Sequence, residues 1–405
     1  MKKISHRQFK KLLLQDEIEL EEDLYIGRWY EKFRKLNLVE FSSSYIDTFT
    51  GCLNGNGYTI HNLKTSICDV LEGEIKDVKI TSEEELTTSV IGESNEGLIN
   101  NVTVGCNIQV EEQSDAGGFV SINDGEIFDS EFSGEIIKPE KSHFGEASVG
   151  GIVGVNSKMI KNCSVTSGYI KSKQNIGCIA GKNEATIKNC TVKNSEVYAE
   201  ISDVGGIVGK NTGEIYGCHS INSIIKGQVE NNKLIGPVGG IAGTTTENSK
   251  IIQSSVKDKC HIEGGQFVGG IVGVNLGEII ESVLNKNNYV TGKSCVGGIA
   301  GRTIQANNLD KHVVRVHKTI AEGEVSGEKI VGGVIGDLNK YCSVSCSISN
   351  SKIDCSMESG TMIGEADNDI SIENCYYYGD QETETVGNKT VEGIYESRDL
   401  SKTEV

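Results

Sequence analysis

The stretch Val204-Gly205-Gly206-Ile207-Val208-Gly209 decides the reading of this chain, because it keeps returning. VGGIVG starts at Val149, IGCIAG at Ile176, VGGIAG at Val238, VGGIVG at Val268, VGGIAG at Val296 and VGGVIG at Val331. Steps between the seven copies are 27, 28, 34, 30, 28 and 35 residues. AGGFVS from Ala116, SVIGE from Ser89 and TMIGE from Thr361 are weaker copies. A period of about 28 residues with occasional insertions is the mark of one supersecondary unit stacked on itself.

A second pattern follows each copy. Asn95, Asn123, Asn156, Asn183, Asn211, Asn275, Asn339 and Asn368 fall at one repeat position, with Glu247 and Asp310 in two other copies. Four residues on comes an apolar column: Ile99, Ile127, Ile160, Ile187, Ile215, Ile251, Ile279, Val314 and Ile372, broken by Ser343. Seven on comes Val102, Ser130, Cys163, Cys190, Cys218, Ser254, Ser282, His317, Cys346 and Cys375. The residue just before this last column is often Asn, Asp or Gly, as at Asn101, Asp129, Asn162, Asn189, Gly217 and Asn374. These types tolerate left-handed backbone and mark a corner. A corner there lets Ile160, Cys163 and Val165 all face inward despite their different parity.

The apolar runs are short, β-branched and bounded by Gly and Asn, so each unit reads as two or three short strands. An open parallel sheet needs crossover connections, and no helical spacing is present to make them. Stacked coils remove the need, since each strand pairs with its equivalent one coil away. The expected fold is all-β: a right-handed parallel β-helix, or β-solenoid, of about eleven coils with a short N-terminal cap of helix and strand. Residues 1–50 read as the cap, 51–380 as the β-helix and 381–405 as an acidic C-terminal tail. In the cap, Ser5-x-x-Gln8 has the form of a capping box opening a helix through Phe9, Leu12 and Leu13. Strands around Ile18 to Leu20 and Leu24 to Ile26 follow, with the single tryptophan at Trp29.

Composition agrees. The 405 residues include 49 Gly, 2 Pro and 13 Cys, and carry a net charge of -18. Glycine without an every-third period excludes collagen, and ordinary apolar content excludes a disordered chain. The charge is uneven: 19 acids against 5 bases over residues 51–149, but 17 against 22 over residues 150–357. A basic middle argues against an acidic nucleic-acid mimic that inhibits a DNA-binding protein, so nucleic acid is not an expected partner. Only Leu12-Leu13-Leu14 forms an apolar core near the start, too short for a signal peptide, and no stretch suits membrane insertion. The cytoplasm is the expected compartment, with secretion or the cell surface as the alternative for a trimmed chain.

The run FTGCLNGNGYTIHNL at Phe49 to Leu63, the GGIVG and GGIAG copies, the GEI turns at Gly213 and Gly277 and the closing NCYYYG from Asn374 resemble the GLUG-repeat proteins of bacteria. The resemblance covers roughly residues 15–380. It implies a β-helical repeat region of the kind found in bacterial surface and secreted proteins, including non-catalytic parts of some immunoglobulin-A peptidases. It implies binding or display, and carries no catalytic residues.

No catalytic, metal or cofactor site is expected. Stacked Cys163, Cys190 and Cys218 present a line, whereas zinc needs converging ligands. They read as buried small hydrophobes. His317, placed in that column, reads as a core histidine rather than the base of a Cys–His pair. The candidates for binding are the insertions. The gap from the Cys column to the next GGIVG grows to 19 residues after Ser130 and 20 after Cys218. The loops at Gly134 to Ser148 and Gly227 to Pro237 should leave one corner three coils apart. They offer Lys138, Lys141, His143 and Phe144 in the first and Gln228, Glu230, Lys233 and Leu234 in the second. A third insertion, Arg302 to Leu309, leaves another corner. The expectation is a non-enzymatic scaffold presenting side loops or an end to a protein or glycan partner, with the solenoid end or side offering a route to an oligomer. The alternative is a carbohydrate-active β-helix enzyme of lyase or hydrolase type, which requires an outward acid cluster in a groove.

Overall fold

The computed structural model describes residues 1–27, 44–110, 115–138, 147–173, 175–228, 236–305, 314–378, 384–388 and 392–396. The chain is a parallel β-helix. Strands of successive coils pair in parallel into three sheets of 26, 16 and 12 strands, called here sheets I, II and III. One coil shows the path. Val153–Asn156 lies in sheet III, Met159–Lys161 and Ser164–Thr166 in sheet I, and Tyr169–Ser172 in sheet II. Ile176–Gly177, also in sheet II, then returns the chain to sheet III at Ala180–Asn183. Sheet III runs from Ser44–Phe49 to Ile363–Ala366. Its twelve strands make eleven steps, roughly 50 Å at about 4.8 Å per step.

The apolar column is unbroken. Ile160, Ile187, Ile215, Ile251 and Ile279 pair in sequence, and Val316, Val344 and Ile372 continue them. Val316 takes the rung expected of Val314, and Val344 that expected of Ser343. Below, Ile18, Leu53, Ile75 and Ile99 extend it. Every member from Leu53 to Val344 is fully buried.

The asparagine ladder also forms, over fewer coils. Asn95 Nδ2 donates to Asn123 Oδ1 at 2.7 Å, and Asn123, Asn156 and Asn183 each donate to the next amide at 2.8 Å. The rung after Asn211 is Thr245, not Glu247. Later rungs are Thr303, Leu338 and Ala366, in place of Asp310, Asn339 and Asn368; Asp310 itself lies outside the described residues. The reason is the corner between sheets III and I. A four-residue step joins Asn211 to Ile215, but six separate Thr245 from Ile251. The extra residues form a turn closed by Ser249 N–H to the Thr246 carbonyl at 3.2 Å.

Left-handed corners fall where the sequence places them: φ is 53° at Asn101, 50° at Asp129, 56° at Asn162, 53° at Asn189, 61° at Gly217 and 52° at Asn374. Gln253, Glu281, Lys318 and Cys346 occupy the same corner with positive φ. The repeated glycines serve close approach. A Cβ on Gly205 would lie 1.9 Å from the Val208 carbonyl oxygen.

At the front, the helix His6–Leu12 carries the capping box, with Gln8 N–H to Ser5 Oγ at 3.2 Å and Ser5 N–H to Gln8 Oε1 at 2.8 Å. Its Phe9 is buried edge-on against Tyr45, ring centroids 4.9 Å apart. The solenoid ladder reaches into the first 50 residues, since Glu17–Glu19 pairs with Cys52–Asn54 and Leu24–Ile26 pairs with Thr59–His61. It also passes residue 380, where Val386 bridges Ile363 and Ile394–Glu396 pairs with Cys375–Tyr377. Trp29 lies outside the described residues. Among the described residues no helix is long and apolar enough to cross a membrane.

Candidate functional site

The corner geometry explains the cysteine column. After a left-handed residue the next N–H points up the stack, and a small side chain in the coil above accepts it. Cys190 N–H goes to Cys218 Sγ at 3.4 Å, Cys218 N–H to Ser254 Oγ at 3.2 Å and Ser254 N–H to Ser282 Oγ at 3.3 Å. Cys and Ser interchange here because each is a small acceptor. Cys163, Cys190 and Cys218 are free and buried. Burial, then neighbouring thiols, push Cys190 far above the usual thiol range.

His317 does not belong to this column. Thr319 and Ser347 hold the rungs, Thr319 N–H donating to Ser347 Oγ at 3.4 Å, in place of the expected His317 and Cys346. The two-residue shift moves His317 to the outer face of sheet I, where its Nδ1 lies 2.9 Å from Ser345 Oγ. It is half-exposed, and burial followed by Lys318 and Arg315 lowers its pKa. His219 pairs likewise with Ser255 at 2.8 Å. These are cross-coil polar pairs of the kind that stabilise sheets.

Both long insertions root on one edge of sheet II. Glu135–Ile137 pairs with Tyr169–Ser172, that strand with Glu196–Ala199, and that with Ile224–Gly227. The loops therefore leave three coils apart, about 14 Å along the rod. At their roots Lys138 N–H donates to the Lys171 carbonyl and Gln228 N–H to the Ala199 carbonyl, each at 2.9 Å. Lys138 is 8% exposed, and burial lowers its pKa; its side chain is part of the wall rather than a surface contact. Gln228 is half-buried. Lys141, His143, Phe144, Glu230, Lys233 and Leu234 lie outside the described residues.

Sheet II also collects side chains that the sequence scatters. One outward column runs Tyr169, Glu196, Ile224, His261, Tyr289. Beside it run Lys171, Tyr198, Lys226 and Glu263. The His261 and Tyr289 rings stack with centroids 4.7 Å apart at 16°. Lys171 Nζ lies 5.3 Å above the Tyr198 ring and 3.7 Å from Glu200, and Lys226 Nζ lies 2.9 Å from Glu263. Ile201, 43% exposed, follows Glu200 between the loop roots. The signal was available: Tyr169, Glu196 and Ile224 each stand six residues after a column cysteine.

A second cluster lies on sheet III. Arg302, Asp337 and Glu365 stack on successive coils. Arg302 Nε is 3.0 Å from Asp337 Oδ2 and donates to Asn339 Oδ1 at 2.9 Å, while its guanidinium lies 5.3 Å over Phe267. Burial raises the Asp337 carboxyl, against the lowering pull of Arg302. Burial, then Asp337, Glu358 and Asp367, raise Glu365. The sequence shows no such cluster because its members come from different coils. Among the described residues no group of three or more His, Cys, Asp and Glu could hold a metal ion.

No protein-family model matches the chain, and no curated protein matches it either.

Proposed function

We propose that the chain is a non-enzymatic β-solenoid scaffold that holds a macromolecular partner, protein or glycan, against sheet II. One observation carries the reading: both long insertions root on the same sheet edge, three coils apart, and bracket two coils bearing Tyr169, Lys171 and Tyr198. Insertions gathered on one face of a solenoid mark its binding side. The ladder residues inside are committed to holding coils together, which leaves loops and outer columns free to vary. Likeness of the repeats to GLUG-repeat proteins supports the same role.

The test replaces residues 139–146 and 229–235 with short Gly-Ser links. Circular dichroism should be unchanged, because no inward column loses a member. Capture of the partner from extracts of the native host should fall at least tenfold. Unchanged capture contradicts the reading.

The cluster at Arg302, Asp337 and Glu365 favours a second reading, a carbohydrate-active enzyme with Glu365 as the proton donor, since a raised carboxyl suits a general acid. Glycan cleavage abolished by Glu365→Gln would establish it in place of the scaffold.

A further inference from the structure

We infer that the outer face of sheet I binds a second copy of this chain, the two rods lying side by side and antiparallel. The inference is independent of the partner on sheet II. Two outward columns carry it. One runs Glu131, Ser164, Thr191, His219 and Ser255 through the lower coils, then turns apolar as Val283, Ile320, Ile348 and Tyr376. The other brings Ile252 and Ile280 beside it. A carboxylate, hydroxyls and an imidazole serve in the lower coils, so stacking does not demand an apolar side chain at these rungs. Yet Ile252, Ile280, Val283, Ile320 and Tyr376 stand half-buried on the outside, and Tyr395, paired with Tyr376, is 51% exposed. Contiguous apolar surface of this kind marks an interaction site. The strip spans the coils from Lys250–Ile252 to Ser371–Glu373. About five coils at about 4.8 Å, by about eight residues at about 3.3 Å, give roughly 600 Å² a copy and roughly 1,200 Å² for the pair, which reaches the size of a stable protein contact.

Charge names the occupant. Across sheet I, residues 159–166, 186–193, 214–221 and 250–257 carry Lys161, Lys188, Lys193, Lys250 and Lys257 against Glu214 alone. Residues 278–284, 314–321 and 342–349 balance Glu278 and Glu281 against Arg315 and Lys318. Residues 371–377 and 392–396 carry Glu373, Glu392 and Glu396 and no base. The face is therefore basic at one end, neutral and apolar in the middle, and acidic at the other. Lys250 also lies 3.6 Å from Glu278 within its own chain. A two-fold axis across the strip at Ile320 lays strip on strip and sets the coil of Lys250 and Lys257 against that of Glu373 in the second copy. An isologous contact requires one surface to complement itself in this way. A parallel pair would set lysines on lysines and is disfavoured.

The test is sedimentation of the full chain over a range of concentration and salt. A dimer is expected, weakening at high salt. Val283→Ser/Ile320→Ser should raise its dissociation constant about tenfold or more with an unchanged circular dichroism spectrum, since Ser164 and Ser255 already hold this column. Lys250→Glu/Lys257→Glu should weaken the dimer at low salt, and adding Glu373→Lys should restore it. Carbodiimide coupling of mixed isotope-labelled chains should join Lys257 of one copy to Glu373 of the other. A monomer at every concentration, a dimer indifferent to the serine pair, or one that the charge reversals neither weaken nor restore overturns the inference, as would coupling confined to residues of sheets II and III.

Discussion

Gly205→Ala strikes the turn that repeats through the rod. The added methyl would lie 1.9 Å from the Val208 carbonyl oxygen and 2.8 Å from that of Ile241 in the next coil. Both obstacles are backbone, so no side chain can rotate away. The equivalent oxygen lies 1.8 to 2.4 Å from the Cβ position of Gly150, Gly177, Gly239, Gly269, Gly297 and Gly332. Relief requires the turn to open. That strains the N–H of Gly206 to Gly239 at 3.2 Å and of Ile207 to Ile241 at 2.9 Å. Overpacking of about 1–3 kcal/mol plus two weakened hydrogen bonds gives a loss of about 3 kcal/mol or more. Gly105→Ala is the control. Its nearest neighbours are side-chain atoms at 3.7 and 3.8 Å, so alanine there should gain about 0.4–1 kcal/mol through the unfolded chain. Repeat arrays unfold in parts, so the assay pairs urea melts with hydrogen exchange. Gly205→Ala should lower the urea midpoint and deprotect amides in the coils on either side. A midpoint and protection equal to those of wild type or Gly105→Ala would refute the close-approach role.

Cys163, Cys190 and Cys218 should resist maleimide in the native state and react after denaturation, as burial and Cys190's raised pKa require; rapid native labelling of all three would place the column outside. Cys190→Ser should be mild because Ser254 and Ser282 hold the same column, whereas Cys190→Arg should prevent folding by burying an unpaired charge, as read by soluble yield. Asn156→Ala removes the acceptor of Asn123 Nδ2 and the donor to Asn183 Oδ1, so a cost of about 2–4 kcal/mol is expected in urea melts, against none if the ladder is ornamental. Glu365 holds its proton more tightly folded than unfolded, so its ionisation costs the folded state above its raised pKa. Glu365→Gln should therefore raise the melting temperature at pH 7, with the gain shrinking as pH falls below that raised value and gone below the ordinary glutamate range; a constant difference across pH contradicts the shift.

The coil period, inward isoleucines and left-handed corners were legible because they recur at fixed spacing. Legibility failed where a corner absorbs extra residues. A spacing carried unchanged through the insertion after Arg302 put His317 past the corner and inside; the corner falls two residues later, at Lys318, so His317 ends the strand before it, next to the inward Val316, and faces out. Asp337 and Glu365 became neighbours only once Leu338 and Ala366 were seen as rungs. Lys138 looked exposed from its loop position, but the backbone bond to Lys171 draws its root into the wall. Tyr169, Ile224 and Tyr289 needed no more than the cysteine column, read six or seven residues further along each coil.

The most direct test of the binding flank is site-specific photo-crosslinking in the native host, with benzoylphenylalanine placed singly at Tyr198 on sheet II, Tyr216 on sheet I and Lys210 on sheet III. These residues lie in two successive coils, on three different sheets. Partner adducts from position 198, with little from 216 or 210, are the predicted result. Adducts from 216 or 210 without one from 198 would contradict it.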